Sequence, residues 1–487
     1  MNKNPSIKKN LAYSTIYQIL ILVTPFITAP YISRVLGADG VGIYSYSYSI
    51  ITFFTLFAAL GTQSYGAREI AQNRDDKKKT SKIFWEIEIM IFITSTVCLL
   101  VWLIISFANE EYKLYFIALI PFLIATPFDI SWYYTGYEKI KYIVVRNTIC
   151  KIISVLLIFL VIRDSGDLIY YFLINSLSML IGNLSMWTYL PKMLEKVKIN
   201  NISIKKHLKE TIIYFIPTIA TSIYTLLDKA LIGVITHDNY ENGFYEQATK
   251  IINIVKAVVF SAVNSVMGAR ISYLFAQNKI DEIKQRINRS ISFIFLFGYG
   301  CMFGIIGVAK NFVPVFFGDG YEPVVNLLYL MSPLVIIIGI SNCLGSQYYT
   351  PAGKRSLSAK FIVTGSCINL VLNLFFIPIC GAMGATVASV IAEIVITILY
   401  LWFCDRFMTI QLLWKNSYKR ILAGVLMLCS VVLIDSLTEL SNVYTLILQI
   451  GIGVMIYGVI LIILKDDMFF EALKILKSVK KNKTNNM

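Results

Sequence analysis

The chain has 487 residues, 57% hydrophobic and only 15% charged, with a formal net charge of +15 and a mean hydropathy of +0.68. A soluble domain carries roughly 45–50% apolar and about 25% charged residues, and one aqueous core cannot hide this much apolar surface. A water-soluble globular protein is therefore excluded, and lipid is the solvent that the composition calls for.

Apolar runs of about 20 residues predict an all-α integral membrane protein with about fourteen transmembrane helices. In chain order they cover residues 11–33, 41–63, 83–107, 112–134, 142–162, 168–190, 211–236, 245–268, 290–312, 324–348, 357–378, 383–404, 420–437 and 443–464. The first lacks a charge and a small-residue cleavage site, so it reads as a retained span rather than a signal peptide. Pro25 and Pro30 can bend it. The fourth carries Pro121 and Pro127 just before Asp129 and is expected to be broken. The larger loops, 64–82, 191–210 and 269–289, are charged and expected to be partly helical. The tail beyond Leu464 is lysine-rich and reads as an amphipathic or disordered end. The eight cysteines lie inside apolar stretches with no CxxC pair or Cys/His cluster. They indicate neither a disulfide framework nor a zinc site, and neither a metal nor a cofactor is expected.

Charge sets the orientation. Lys and Arg concentrate in the N-terminal segment, in every second loop and in the tail, whereas the alternate loops are short and hold only Arg34, Lys113, Arg163 and Lys310. By the positive-inside rule both termini of this multi-pass protein are cytoplasmic. The basic balance thus reports topology and anionic membrane lipid, not a nucleic-acid partner.

An internal repeat is visible. Gly42-Ile-Tyr44 recurs as Gly243-Phe-Tyr245, Ile50-Ile51 as Ile251-Ile252, and Gly66-Ala-Arg68 as Gly268-Ala-Arg270. Six predicted spans separate the copies, so both have one orientation and the repeat is parallel. The expected organisation is an N-terminal six-helix lobe over 1–195, a second over 196–410, and two extra helices with a basic tail over 411–487.

Charges inside spans usually face a bundle interior or a wet cavity. Span seven presents Thr211, Thr218, Ser222, Thr225 and Lys229 on one face, with Asp228 beside them; span eight presents Glu246, Lys250, Asn253 and Asn264, with Lys256 to one side. A cavity admitting an anionic headgroup is one reading, with Lys151 as a further cation. The other is that Asp228 and Lys229 pair structurally, or that the lysines snorkel to an interface. Arg34 is a cation at the outer boundary that either joins the cavity or reaches lipid headgroups. Asp129 and Glu393 are candidates for coupling to H⁺ or Na⁺. Glu86 and Glu88, near Trp85, are expected at the inner interface. The two histidines, His207 and His237, fall on opposite sides of the membrane, and no nucleophile elbow or phosphate-cradling glycine loop appears. An enzyme is not expected.

Two stretches resemble the polysaccharide flippases, for O-antigen and capsule repeat units, of the MATE-like multidrug/oligosaccharidyl-lipid/polysaccharide exporter superfamily. One is Pro30-Tyr-Ile-Ser-Arg-Val-Leu-Gly37 with Gly42-Ile-Tyr44, Leu60-Gly61 and Tyr65-Gly-Ala-Arg-Glu69. The other is Leu227-Asp-Lys229, Ile232-Gly233, Gly243-Phe-Tyr-Glu246 and Lys250. The resemblance implies two lobes around a central cavity, alternating access, and an undecaprenyl-pyrophosphate-linked oligosaccharide as cargo. It also implies that Arg34, Asp228, Lys229, Glu246 and Lys250 lie near that cavity. Polysaccharide polymerase and glycosyltransferases are the expected protein partners. A MATE-type drug exporter would share the architecture but would want acidic cavity groups. A membrane glycan polymerase or ligase would need a sizeable outer loop with catalytic Arg or His.

The orientation is testable with single cysteines in a Cys-free background. An impermeant maleimide is expected to label positions 164 and 241 from outside, but not 78 or 206. External labelling at 78 would reverse the topology.

Overall fold

Lipid tails offer no hydrogen-bond partners, so a spanning chain must satisfy its backbone internally. The computed structural model describes residues 7–197, 203–438 and 440–474, less the side chains of 7–12, 14, 216–218, 220–221, 223–225, 261–270 and 272. Among the described residues the fold is entirely helical, and nine helical stretches are long and apolar enough to cross a membrane. The chain divides into two compact units, Met1–Gly243 and Phe244–Met487.

The first unit opens with α1 (Ile7–Ala59), α2 (Thr62–Asn73) and α3 (Lys77–Ala108). A straight 53-residue helix would be about 80 Å long, far beyond a hydrocarbon core of about 30 Å. Gly37 interrupts α1 with φ 67°, close to the boundary expected between the first two spans. The expected fourth span is broken into α4 (Lys113–Ala118), α5 (Ile120–Ile124) and α6 (Ser131–Gly136), with Pro121 in the first turn of α5. Helices α7 (Ile140–Val161) and α8 (Leu168–Met186) follow as a pair.

Breaking a helix at membrane depth strands carbonyls, and neighbouring side chains take them up. Trp102 Nε1 donates to Phe116 O (3.0 Å), Ser176 Oγ to Ala118 O (2.8 Å), Asn183 Nδ2 to Ala125 O (2.8 Å) and Trp187 Nε1 to Phe128 O (3.1 Å). Each such bond stabilises by about 0.5–1.5 kcal/mol. Together they fix the irregular segment against α3 and α8.

Helix α9 (Ile204–Thr236) runs antiparallel along the second arm of α1. Phe57 packs edge-on against Phe215, with ring centroids 5.3 Å apart. A Cβ on Gly233 would lie 2.2 Å from the Tyr46 ring. At the far end, a Cβ on Gly42 would lie 1.7 Å from Asn239 O, and one on Gly243 would lie 2.1 Å from Ala38 O. Gly42 and Gly243, the first residues of the two Gly-x-Tyr copies, thus lie backbone against backbone within the first unit. The copy Gly268-Ala-Arg270 falls outside the described side chains.

The second unit contains most of α10 (Asn239–Ala276), then α11 (Ile280–Phe317), α12 (Pro323–Met331), α13 (Leu334–Leu344) and a π-helical turn, Gly345–Tyr349. Helix α14 (Arg355–Trp402) is a hairpin rather than one rod. Gly381 has φ 54°, which an L side chain rarely adopts. Asn369 donates across to Ser389 (3.2 Å), and Gly384 abuts the Phe376 backbone. The core of this unit is built on Phe260, Ile291, Phe295, Val335, Tyr349 and Tyr400.

Helices α15 (Ile410–Leu437) and α16 (Asn442–Ile463) are tied to α11 near both ends. Near one end the buried Arg420 donates Nη2 to Ser292 Oγ (2.8 Å) and to Asp466 Oδ1 (3.1 Å). Near the other, Asn311 Nδ2 donates to Asp435 Oδ1 (2.5 Å) and to Gln449 Oε1 (3.2 Å).

The glycine contact gives a stability prediction. Gly243→Leu forces a side chain into Ala38 O, and overpacking of this kind costs about 1–3 kcal/mol or more. The variant is expected to lose several degrees of thermal stability in detergent, while Gly451→Leu, with open space around it, stays near wild type.

Candidate functional site

The first unit gathers a polar cluster around the break in the expected fourth span. Residues Ala125 to Ile130 leave helical geometry there, so Asp129 Oδ1 accepts the Ser131 N–H at 3.0 Å. Gln63 Nε2 donates to Asp129 Oδ2 at 2.9 Å, and Ser131 Oγ closes a ring by donating to Gln63 Oε1 at 3.0 Å. Tyr17, Glu88 and Arg146 all lie within electrostatic reach of Asp129. Arg146 Nε donates to Asn147 Oδ1 (3.1 Å), and Asn147 also bonds Tyr17. Asp129, proposed from sequence for ion coupling, thus sits in a hydrogen-bonded network. Nothing in the sequence beyond its place near the start of a span distinguished Arg146.

Glu86 and Glu88, which the sequence suggested for the inner interface, are buried in protein. Their helix is packed on both sides by α2 and α9, which apolar counting along α3 alone does not reveal. Glu86 Oε2 is 2.8 Å from His207 Nε2, and its Oε1 accepts the Ser203 N–H at 2.7 Å. His207 Nδ1 is 2.7 Å from Tyr65 Oη. One chain of polar contacts therefore runs from α3 through α9 to α2. Arg68 and Tyr214 add a second contact between α2 and α9. Glu88 is fully buried, and neither carboxylate oxygen has a hydrogen-bond partner among the described residues.

The other residues of span seven lie in the same unit. Asp228 is buried and Lys229 half-buried, and Asn242 Nδ2 donates to the Lys229 carbonyl at 2.8 Å. Ser222 is half-buried. Thr218 and Thr225 fall outside the described side chains. Lys151 is half-buried on α7, and Arg34 is exposed, with Nη1 3.5 Å from Pro30 O.

In the second unit Lys250 forms an i,i+4 ion pair with Glu246 at 3.2 Å. Lys256 lies within electrostatic reach of the buried Glu393, so a cation and a carboxylate assigned separate roles from sequence are neighbours. Asn253 is exposed. One turn before Glu393, Ser389 opens a buried amide ladder through Asn369 to Asn373 (3.1 Å). The i,i+4 spacing of Asn369 and Asn373 in an apolar helix was the signal that sequence reading passed over.

The family description "Polysaccharide biosynthesis protein" matches residues 7–272, more than half of the chain. The chain belongs to that family. Its curated relatives include a protein of Escherichia coli K12 provisionally named an O-antigen transporter. The two are 22% identical over 409 residues, covering 83% of this chain and 98% of the relative. A second is provisionally named the low-salt glycan biosynthesis flippase Agl15 of Haloferax volcanii, 25% identical over about half of each chain. Among solved structures, the fold of this family member is similar to the lipid II flippase MurJ in an inward closed conformation. The TM-score is 0.74 at 16% identity, covering 94% of this chain and 99% of that one. A MATE family multidrug transporter, inward-facing, gives 0.61 at 12% identity over 85% and 95%. The fold is therefore that of the MATE-like superfamily, as the sequence resemblance implied.

The polar chain between α3 and α9 is open to a double-mutant cycle. Glu86→Ala strands His207 and the Ser203 N–H, and is expected to cost about 1–3 kcal/mol. Glu86→Ala with His207→Ala together are expected to cost less than the sum. Additive losses in thermal or denaturant unfolding would show that the contact contributes nothing.

Proposed function

We propose that this protein flips a lipid-linked oligosaccharide from the cytoplasmic to the outer leaflet by alternating access, for surface polysaccharide biosynthesis. The supporting observation is family membership together with likeness, over nearly a whole relative, to a protein bearing an O-antigen transporter name. In this reading the prenyl tail stays in an apolar environment while diphosphate and sugars need a polar, partly cationic path. Lysine suits diphosphate as a point-charge partner, and hydroxyls and amides suit sugar hydroxyls. Lys229, Lys250, Lys256, Lys151 and Arg34 supply the cations, and Thr218, Ser222, Thr225 and Asn253 the neutral groups. Asp228 and Glu246 are their charge partners, while Asp129 and Glu393 carry the coupling ion, H⁺ or Na⁺.

Both termini are taken as cytoplasmic, in a bacterial cell membrane, with 1–195 and 196–410 as the moving lobes and 411–487 as an accessory pair. The chain works as a transporter rather than an enzyme, supplied by glycosyltransferases and feeding a polymerase. A MATE-type drug exporter fits less well, because the half-buried side chains of spans seven and eight include several lysines.

Removing one partner of a buried charge pair costs about 2–5 kcal/mol, more than tenfold in binding. Lys229→Ala and Lys250→Ala are each expected to abolish surface polysaccharide at normal protein level. The arginine replacements should be milder, and Lys78→Ala without effect. Export at the wild-type rate by a well-expressed double alanine variant would remove both lysines from the cargo path.

A further inference from the structure

Two cavities lie end to end between α7 and α8. The first, about 550 Å³, is lined by Lys141, Tyr142, Arg146, Ile149 and Tyr189, among others. The second, about 410 Å³, continues it to Leu157, Val161 and Tyr170. They share Cys150, Ile153 and Ile181, so they form one trench along the helix pair. Its walls are mostly aliphatic beyond Cys150, with the hydroxyls of Ser154, Ser178 and Tyr170 as the polar exceptions.

The two ends differ in chemistry. Near the Ile140 end stand Lys141 and Arg146. Lys139 and Lys192 sit over the Tyr189 ring at 5.4 and 5.7 Å, and Tyr189 stacks on Tyr142 with centroids 4.4 Å apart. The nearest acid by sequence, Glu138, is paired with Arg74 at 3.2 Å. Arg146 itself uses Nε and Nη2 on Asn147, while its buried Nη1 has no hydrogen-bond partner among the described residues. A buried guanidinium nitrogen without an acceptor is costly, and phosphate oxygens are the acceptor that an arginine fork fits best.

Length selects the kind of tail. Arg146 and Val161 are separated by about 22 Å along α7 at 1.5 Å per residue. One leaflet of the hydrocarbon core is about 15 Å deep, so the trench is longer than the leaflet that a phospholipid acyl chain spans. We propose that this trench is a docking site for a polyprenyl diphosphate. Its phosphates sit on Arg146 and Lys141 at the cytoplasmic end, and its tail runs along Ile149, Ile153 and Ile181. The inference rests on the flippase reading and adds a subsite to it. Arg146 also belongs electrostatically to the Asp129 cluster, so the trench meets the polar interior of the first unit where the phosphates would lie.

The test uses the full-length protein in nanodiscs and a photoreactive undecaprenyl diphosphate. The expected result is cross-linking to α7 and α8 peptides, competed by unlabelled undecaprenyl diphosphate and not by phosphatidylglycerol. Arg146→Gln with Lys141→Gln is expected to weaken binding at least tenfold. Ile153→Trp, which fills the trench, is expected to abolish the α7–α8 cross-links with thermal stability unchanged. Equal competition by phosphatidylglycerol would make the trench a phospholipid site and overturn the proposal. So would wild-type labelling of folded Ile153→Trp and of folded Arg146→Gln, Lys141→Gln. Failure of the wild-type protein to bind any polyprenyl diphosphate, in or out of the trench, would instead remove the flippase reading itself.

Discussion

Hydrocarbon has no groups to offer a stranded N–H or C=O, and this constraint decides where the helices of this protein stop, turn and break. Long helices satisfy themselves. Each interruption is handled in one of two ways. At Gly37 and Gly381 a positive φ lets the chain change direction within a residue or so, so little backbone is left unpaired. In the broken α4–α6 stretch the interruption is longer, and Trp102, Ser176, Asn183 and Trp187 donate to the freed carbonyls. The irregular backbone is thereby kept inside protein rather than against lipid. It is also where Asp129 sits, because only a break frees the Ser131 N–H to cap that carboxylate.

The same solvent shapes the ties between helices. Apolar side chains pack no better against one another than against lipid tails, so small residues and polar contacts hold membrane helices together. Here the polar ties recur near helix ends. Glu86 and His207 join α3 to α9; Arg420 and Asp466 join α15 to the segment after α16; Asn311, Asp435 and Gln449 join α11, α15 and α16. Elsewhere, contacts such as Gly233 on Tyr46 and Gly42 on Asn239 depend on closeness. A helix fastened at its ends and fitted by shape along its length can tilt as one piece.

Much of this was legible in the amino-acid order. Apolar run length placed α3, α7, α8, α11, α15 and α16, and glycines and prolines marked the breaks, because lipid enforces a length rule that water does not. Helices ran further than the apolar counts, as at Lys77 and Ile280, since a helix continues into water wherever its next residues allow it. The burial of Glu86 and Glu88 was not legible. A carboxylate near a span end reads as interfacial until the neighbouring helix is known, and the partner His207 lies far away in sequence. Arg146 was missed for the same reason. About half a turn of helix separates a headgroup-facing arginine from one turned into the bundle, and periodicity along a uniformly apolar helix does not fix which face is which.

The placement of Arg146 bears on how a charged lipid headgroup can enter a protein from the side. Moving a diphosphate from the membrane surface to a buried path strips its hydration, and the loss must be offset at each step by protein donors. Surface lysines such as Lys139, Lys141 and Lys192 can hold the headgroup while water still screens it, so each contributes little. A guanidinium deeper along α7 acts where screening is weaker and its donors are already oriented. Asn147 occupies one side of the fork and Nη1 has no partner among the described residues, so the group is held in place before any anion arrives. A preoriented cation between an exposed lysine patch and the Asp129 cluster is the arrangement that lets phosphate move inward while its tail never leaves an apolar surface.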